Sequence, residues 1–119
     1  MGHVYTNVLI SDPRRIKEIE VRMLVDTGAT YACVPPKLAR DLNLATMGKS
    51  DVTLADGRRV KADVSLAYME MDGRGDIVQV RIFEISEPLV GASTLEALGL
   101  AVDPTTGKLR PTRSFIARA

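Results

Sequence analysis

The chain has 119 residues, of which 45% are hydrophobic and 26% charged, and its formal net charge is +1. This length and composition are typical of one folded domain that buries its own core, so we expect a single domain over residues 1–119. The balanced charge excludes the strong phosphate attraction that drives non-specific nucleic-acid binding, and we expect no nucleic-acid partner.

The N-terminal third predicts two strands joined by a turn. Val4 to Ile10 has the composition of a strand, and Asp12-Pro13-Arg14-Arg15 that of a turn with Pro at its second position. Ile16 to Val25 is the predicted returning strand. Its apolar residues alternate until Leu24 breaks the pattern, which predicts that this strand enters the core just before Asp26.

The middle of the chain predicts a short helix and a hairpin. After Pro35-Pro36, the segment Lys37 to Leu44 has leucines four residues apart and predicts about two helical turns. The strands Asp51 to Leu54 and Arg59 to Leu66 are joined by Ala55-Asp56-Gly57-Arg58, where Asp-Gly favours a tight turn of type I′.

The remaining elements complete an all-β pattern. The second hairpin strand continues towards Met71, turns through residues 72–76 and returns as Ile77 to Ile85. A short helix is predicted to begin near Ser93, which has capping-box spacing to Glu96, and to end before Gly99. A last hairpin turns at residues 104–107. Many short strands with only one or two short helices predict a small, closed-barrel-like β lobe.

The triplet Asp26-Thr27-Gly28 carries the chemistry that the sequence suggests. A carboxylate at the exit of an apolar strand, followed by Thr and Gly, is the arrangement by which an aspartic peptidase brings a carboxyl group to a water molecule. Two such carboxyl groups are needed, and the chain has no second Asp-Thr-Gly or Asp-Ser-Gly. A second copy of the chain must then supply the other one across a two-fold axis, which predicts a homodimer.

Three motifs in order make the chain resemble the retropepsin-like aspartic peptidases, in particular their small stand-alone prokaryotic members. Asp26-Thr27-Gly28 matches the catalytic triplet, and Ala55-Asp56-Gly57-Arg58 falls where the family has its flap. Leu89-Val90-Gly91 matches the motif of two apolar residues and Gly that precedes the family's helix. The resemblance implies a homodimeric endopeptidase that acts on peptide or protein substrates without a metal or other cofactor.

The resemblance also implies roles for individual residues. Asp26 is the expected catalytic residue, and two such groups in contact share a proton because they cannot both ionise cheaply. Thr27, Gly28 and Thr30 are expected to support the catalytic loop, Thr27 through a hydroxyl bond across the dimer and Thr30 through one to the carboxylate. The expected substrate-binding residues are Ala29, Ala55, Asp56, Gly57, Arg58, Leu89, Val90 and Gly91. Gly2 to Ile10 and Arg110 to Ala119 are candidates for the dimer interface.

Two alternatives to a peptidase stay open at this stage. The charged tip of the predicted flap also fits an inactive dimer that serves as a peptide-binding or scaffolding module, since a fold does not guarantee a function. Alternatively, Asp26-Thr27-Gly28 is an accidental turn in an unrelated barrel. The flap itself has a simpler interpretation as an ordinary hairpin.

Other features of the sequence indicate structure or location rather than chemistry. The single Cys33 is expected to be a buried thiol, and the single His3 has no convincing metal or catalytic partners. The chain starts with neither a basic nor an apolar leader segment, and no run approaches the roughly 20 apolar residues of a membrane-spanning helix. We therefore expect a cytoplasmic protein with no membrane partner.

Overall fold

The computed structural model describes residues 3–115, and these residues are mostly β-strand. Within them, nine strands and two short helices follow in the order β1 (Val4–Ser11), β2 (Glu18–Val25), β3 (Ala32–Val34), α1 (Pro36–Asp41), β4 (Gly48–Thr53), β5 (Arg59–Met71), β6 (Arg74–Ile82), β7 (Leu89–Val90), α2 (Ala92–Leu98), β8 (Leu100–Asp103) and β9 (Lys108–Pro111). Of the candidate interface segments, Gly2 and residues 116–119 lie outside the described residues.

Six of the strands close into a ring. The order is β1-β2-β7-β3-β6-β5, and the ring closes because the end of β1 also pairs with β5, Leu9 opposite Glu70. Asp63 to Met71 of β5 pair with β6 in this ring, whereas Arg59 to Ala62 pair only with β4 and form a hairpin that extends beyond it. β8 and β9 form a separate two-stranded sheet. The predicted all-β lobe with two short helices is confirmed.

The core fills the inside of the ring. Its largest fully buried side chains are those of Ile10, Met23, Leu42, Met69 and Leu98, and the two leucines come from the helix α2 and from the residue that follows α1. Each such side chain contributes about 1.5–3 kcal/mol through burial. The helices therefore cover the ring and complete its core.

The second strand enters the core where the sequence predicted. Val21 and Ile19 are half-buried, whereas Met23 and Val25 are buried. At Leu24 and Val25 the strand gains a second neighbour, because β7 pairs with it in parallel on the side opposite β1. The chain thus reaches Asp26 from between two strands.

The predicted type I′ turn does not form at Asp56-Gly57, and one forms at Asp72-Gly73, for which no turn type was predicted. At Asp56-Gly57 only the glycine has a positive φ, 88°, and its N–H donates to the Leu54 carbonyl at 2.9 Å. The predicted type I′ turn is wrong there, because the loop has three residues and ends in a left-handed glycine. A type I′ turn occurs instead at Asp72-Gly73, with φ of 51° and 75°, so the predicted loop 72–76 shrinks to two residues and β6 starts at Arg74.

The starts of β2 and α2 differ from the prediction because backbone N–H groups there bind acceptors outside the element. β2 begins at Glu18 rather than Ile16, since the Asp12 carboxylate accepts the backbone N–H groups of Ile16 and Lys17, both at 2.9 Å. The capping box of Ser93 with Glu96 does not form, because α2 begins at Ala92 and its first N–H groups bind carbonyls of another loop. The predicted helix end is correct, with Gly99 left-handed at φ 66°.

No helix within residues 3–115 is both long enough and apolar enough to cross a membrane.

Thr94 gives a test of core packing. It is fully buried in α2, and its Oγ1 has no hydrogen-bond partner among the described residues. Thr94→Val replaces this hydroxyl by a methyl group of similar size, so we expect the free energy of unfolding to rise by about 1 kcal/mol in urea titration. Thr94→Ala, which also leaves a cavity, should lower it. A destabilised Thr94→Val variant would show that the hydroxyl has a partner.

Candidate active site

Asp26 lies at the point where β2 leaves the ring. Its N–H donates to the Val90 carbonyl of β7 at 2.9 Å, and its own carbonyl accepts the N–H of Ala29 at 3.1 Å. The side-chain Oδ1 accepts the N–H of Gly28 at 2.9 Å. Backbone contacts on both sides therefore fix a half-buried carboxylate whose Oδ2 makes no hydrogen bond within residues 3–115.

The loop after Asp26 is held by the start of α2. The N–H of Ala92 donates to the Ala29 carbonyl at 2.8 Å, and the N–H of Ser93 donates to the Thr30 carbonyl at 2.9 Å. These are two of the N–H groups that the first turn of a helix leaves without an intrahelical acceptor. The helix thus uses its unpaired donors to position the loop.

Gly91 makes this contact possible. Its φ is −95°, which any residue adopts, but a Cβ built there would lie 2.4 Å from the Tyr31 carbonyl oxygen and 2.9 Å from the Tyr31 nitrogen. Separations below 3.0 Å between such atoms do not occur without movement of the backbone. The glycine is required by close approach rather than by conformation.

Beside Asp26 opens a cleft of about 560 Å³. One wall comes from the Asp26 loop with β3, β6 and β7, and the other from the strand β4 and the start of its turn. Its lining residues are Asp26, Gly28, Ala29, Thr30, Tyr31, Cys33, Ser50, Asp51, Val52, Thr53, Leu54, Ala55, Arg81, Phe83, Ile85 and Leu89. A small apolar cluster of buried Cys33, Ala62 and Phe83 packs beneath the hairpin, separately from the main core.

The structure brings some of the predicted site residues to this cleft and not others. Those that line it are Asp26, Gly28, Ala29, Thr30, Ala55 and Leu89. Val90 and Gly91 are buried behind it, where they support the loop. Asp56, Gly57 and Arg58 are exposed at the hairpin tip and do not line it.

The two predicted supporting threonines share a second hollow, and only Thr30 also lines the cleft. Thr27 is exposed and borders a second hollow of about 160 Å³ with Ser93 and Glu96. Thr30 is exposed and lines the cleft, but makes no hydrogen bond to Asp26 within the described part of the chain. Neither hydroxyl has a partner within residues 3–115.

The charges at the hairpin tip are paired with each other. The Asp56 carboxylate accepts the Arg58 backbone N–H at 3.0 Å and binds the Arg58 Nε at 2.7 Å. These contacts, the backbone one first, lower the pKa of Asp56. The tip is therefore a locally closed ion pair rather than a set of charges directed into the cleft.

Arg81, which no sequence pattern singles out as a site residue, lines the cleft on β6 and is 8% exposed. Its guanidinium lies over the Tyr31 ring, 3.9 Å from the centroid. The alternation of β6 places Arg81 with Gln79 on the face opposite Val78 and Val80, so the pattern indicates a solvent-facing arginine. Tyr31, which is distant in sequence, covers one face of the guanidinium, and this contact is not visible in local periodicity.

Cys33 is buried, as predicted, and its environment disfavours the thiolate. Burial raises the pKa of the Cys33 thiol to about 11, and the negative charge of Asp26 acts in the same direction while Arg81 opposes it. The thiol is therefore neutral at physiological pH. Within residues 3–115 no group of three His, Cys, Asp or Glu side chains is arranged to hold a metal ion.

A family model described as aspartyl protease matches residues 13–94, a segment that includes Asp26, the hairpin, β7 and the start of α2. The chain belongs to this aspartyl protease family. The resemblance drawn from the three motifs is thus confirmed, and the protein is a peptide hydrolase.

The fold of this protease is also found among solved structures. EIAV protease complexed with the inhibitor HBY-793 superposes with a TM-score of 0.66 at 20% sequence identity, covering 82% of this chain and 89% of that chain. This likeness establishes the retropepsin-like fold. No curated protein sequence matches the protease.

The close approach at Gly91 predicts a severe effect of one added methyl group. Gly91→Ala forces α2 away from the Asp26 loop, so we expect a loss of about 1–3 kcal/mol or more in unfolding free energy, together with reduced cleavage. Gly107→Ala is the control, since its Cβ meets nothing within 4 Å and only its φ of 70° opposes alanine. That variant should lose only about 1–2 kcal/mol and keep its activity. Equal activity in the two variants would contradict the proposed role of the contact.

The raised pKa of Cys33 predicts slow reaction with disulfide reagents. Because the thiolate is the reactive form, a pKa of about 11 lowers its fraction near pH 8 by about 100-fold relative to an ordinary thiol. We expect the native protease to react with Ellman's reagent at least that much more slowly than the urea-unfolded chain. Similar rates in the two states would show that Cys33 is accessible as thiolate.

Proposed function

We propose that this aspartyl protease is an endopeptidase that acts as a homodimer, with Asp26 of each subunit forming the catalytic pair. The observation that carries the proposal is the position of Asp26. Its carboxylate is held by Gly28 at the edge of an open cleft, and no cation lies within 4 Å of it among the described residues. The other acid that lines the cleft, Asp51, is bound to Lys61 at 2.9 Å.

The need for two carboxyl groups supports the homodimer. The described part of one chain offers Asp26 no second unpaired carboxylate in the cleft, and the adjacent Thr27 is exposed with no internal partner. A two-fold contact through this loop would place the two Asp26 side chains together and give each Thr27 hydroxyl a backbone acceptor on the other subunit. The same surface would then supply both catalysis and assembly.

The pair would act by general acid and base catalysis. Two carboxyl groups in contact share one proton, so one is a base and the other an acid at mildly acidic pH. The carboxylate takes a proton from water as the water oxygen bonds to the substrate carbonyl carbon, and the protonated Asp26 of the partner subunit gives its proton to the carbonyl oxygen. When the C–N bond breaks, the nitrogen receives a proton from one carboxyl group while the hydroxyl returns one to the other.

The cleft suits an extended peptide. It is bounded by strand β4 on one side and by the loop of Asp26 on the other, with apolar wall residues Val52, Phe83, Ile85 and Leu89. A peptide bound there would form main-chain contacts with neighbouring strands, as peptides do when they extend a sheet. The hairpin of β4 and β5 is the proposed flap, acting through Ser50 to Ala55 rather than through its charged tip.

We also infer a cytoplasmic location. Cys33 is the only cysteine of the chain and is buried beneath the hairpin, which suits a protein that does not depend on disulfides. Fractionation of cells that produce the protease would test this point separately from its activity.

Asp26→Asn tests the catalytic assignment. We expect cleavage of a mixed peptide library, assayed between about pH 4 and 7, to fall by at least about 1,000-fold because the variant lacks the proton-accepting carboxylate. The matched control is Asp76→Asn, since Asp76 is exposed on β6 outside the cleft and an amide oxygen can still accept the Ile77 N–H. Unchanged cleavage by Asp26→Asn would refute the assignment.

Subunit mixing tests whether two copies share one site. If wild type is allowed to exchange with an equal amount of Asp26→Asn, random pairing leaves about half the activity of the wild type alone. Independent monomers would keep all of it. Sedimentation of the same samples should give twice the 12.9 kDa of the chain. A folded dimer that binds library peptides without cleaving them would instead support the peptide-binding module.

A further inference from the structure

Arg81 is a buried cation in the wall of the cleft. It is 92% buried, by its 8% exposed fraction, and it lies in the same cleft as Asp26. Fully or nearly fully buried arginines are rare in proteins unless an anion pairs with them, because removal of a charge from water is unfavourable. The described chain supplies no such anion to Arg81.

The contacts of Arg81 orient its guanidinium without neutralising it. One face stacks on the Tyr31 ring at 3.9 Å, and Nη1 donates to the Gln79 side-chain oxygen at 3.2 Å. Both partners are neutral. Within residues 3–115 no carboxylate lies within 4 Å of Arg81, whereas Arg15 and Arg58 are each paired with an acidic side chain.

The acidic residues that share the cleft do not pair with Arg81. Asp51 is bound to Lys61, and Asp26, whose Oδ1 accepts the N–H of Gly28, forms no ion pair with Arg81 among the described residues. Arg81 has five N–H donors in a planar fork, and only one of them meets an acceptor in the described part of the chain. Because Tyr31 and Gln79 fix the guanidinium, its remaining donors are pre-organised for a ligand that enters the cleft.

We propose that Arg81 determines the specificity of the protease by binding a carboxylate of the peptide substrate. This inference rests on the proposed function in one respect, that peptides occupy the cleft beside Asp26. A guanidinium binds a carboxylate through two parallel, charge-assisted hydrogen bonds, a geometry that a neutral amide cannot match. Selection is strong when a buried polar group is left unpaired by the wrong ligand.

Two kinds of substrate carboxylate share this chemistry, the side chain of Asp or Glu and the free C-terminus of the peptide. We test them with paired peptides in which each position carries Glu or Gln, or Asp or Asn, and in which the C-terminus is free or amidated. Cleavage is measured as kcat/KM with the wild type. Binding of the same peptides is measured by titration to the Asp26→Asn protein, which reports on the cleft even if no peptide is cleaved.

We expect one acidic position to raise kcat/KM and affinity about 10- to 100-fold over its amide counterpart. Arg81→Gln should remove this preference and Arg81→Lys should retain part of it. Arg40→Gln is the matched control, because Arg40 is exposed on α1 and does not line the cleft. If the free C-terminus, rather than a side chain, carries the preference, the source of the carboxylate is identified and the role of Arg81 stands.

The outcomes for Arg81 and for the catalytic proposal are separable. Cleavage without any preference for acidic peptides would overturn the role of Arg81 and leave the peptidase intact. Acid-selective binding without cleavage would do the opposite. The role of Arg81 is also overturned if the preference for acidic peptides persists in Arg81→Gln. It is likewise overturned if Arg81→Gln only changes the pH profile, and does so equally for all peptides. If Arg81→Gln fails to fold, the wild-type Glu/Gln comparison alone still decides whether the cleft selects a carboxylate.

Discussion

The site depends on a short parallel pairing between β2 and β7. Leu24 lies opposite Leu89 and Val25 opposite Val90, and the Asp26 N–H completes the pairing by binding the Val90 carbonyl. The next residue after β7 is Gly91, so the same strand that fixes Asp26 also starts the helix that holds its loop. A shift of β7 by one residue would move both at once. The position of the carboxylate is therefore set by backbone hydrogen bonds and a close glycine contact.

Much of this arrangement is predictable because it is local. The apolar alternation of β2, the left-handed Gly99 at the end of α2 and the hairpin of β4 and β5 all follow from short-range patterns, and the structure contains them. The wrong predictions arise where groups distant in sequence compete for the same hydrogen-bond partners. Ser93 loses its predicted capping role because the Ala29 and Thr30 carbonyls bind the first donors of α2. These carbonyls are about 60 residues away in sequence, beyond the reach of a local pattern.

The same distinction explains which site residues could be found. Asp26 and its triplet are visible because strand, carboxylate and glycine are adjacent in sequence. Arg81 was missed because its environment is assembled by two distant segments, Tyr31 in one wall and the hairpin over the other. The predicted tip residues Asp56 and Arg58 do not line the cleft, and their opposite charges pair with each other at the exposed end of the hairpin. The residue types indicated a charged flap, but only the three-dimensional structure shows that these charges lie at the tip and outside the cleft.

The burial of Arg81 without an anionic partner affects the stability of the free protein relative to that of its peptide complex. A buried charge without an anion destabilises the fold, and Tyr31 and Gln79 offset only part of that effect. A well-packed apolar residue on β6 would avoid it. Under the proposed function, a carboxylate that enters the cleft removes the penalty, whereas a neutral peptide must bury Arg81 further with its donors unsatisfied. Selectivity then comes as much from the penalty against neutral ligands as from attraction to acidic ones. Arg81 would thus lower the stability of the free protease and, in return, let the cleft beside Asp26 distinguish acidic from neutral peptides.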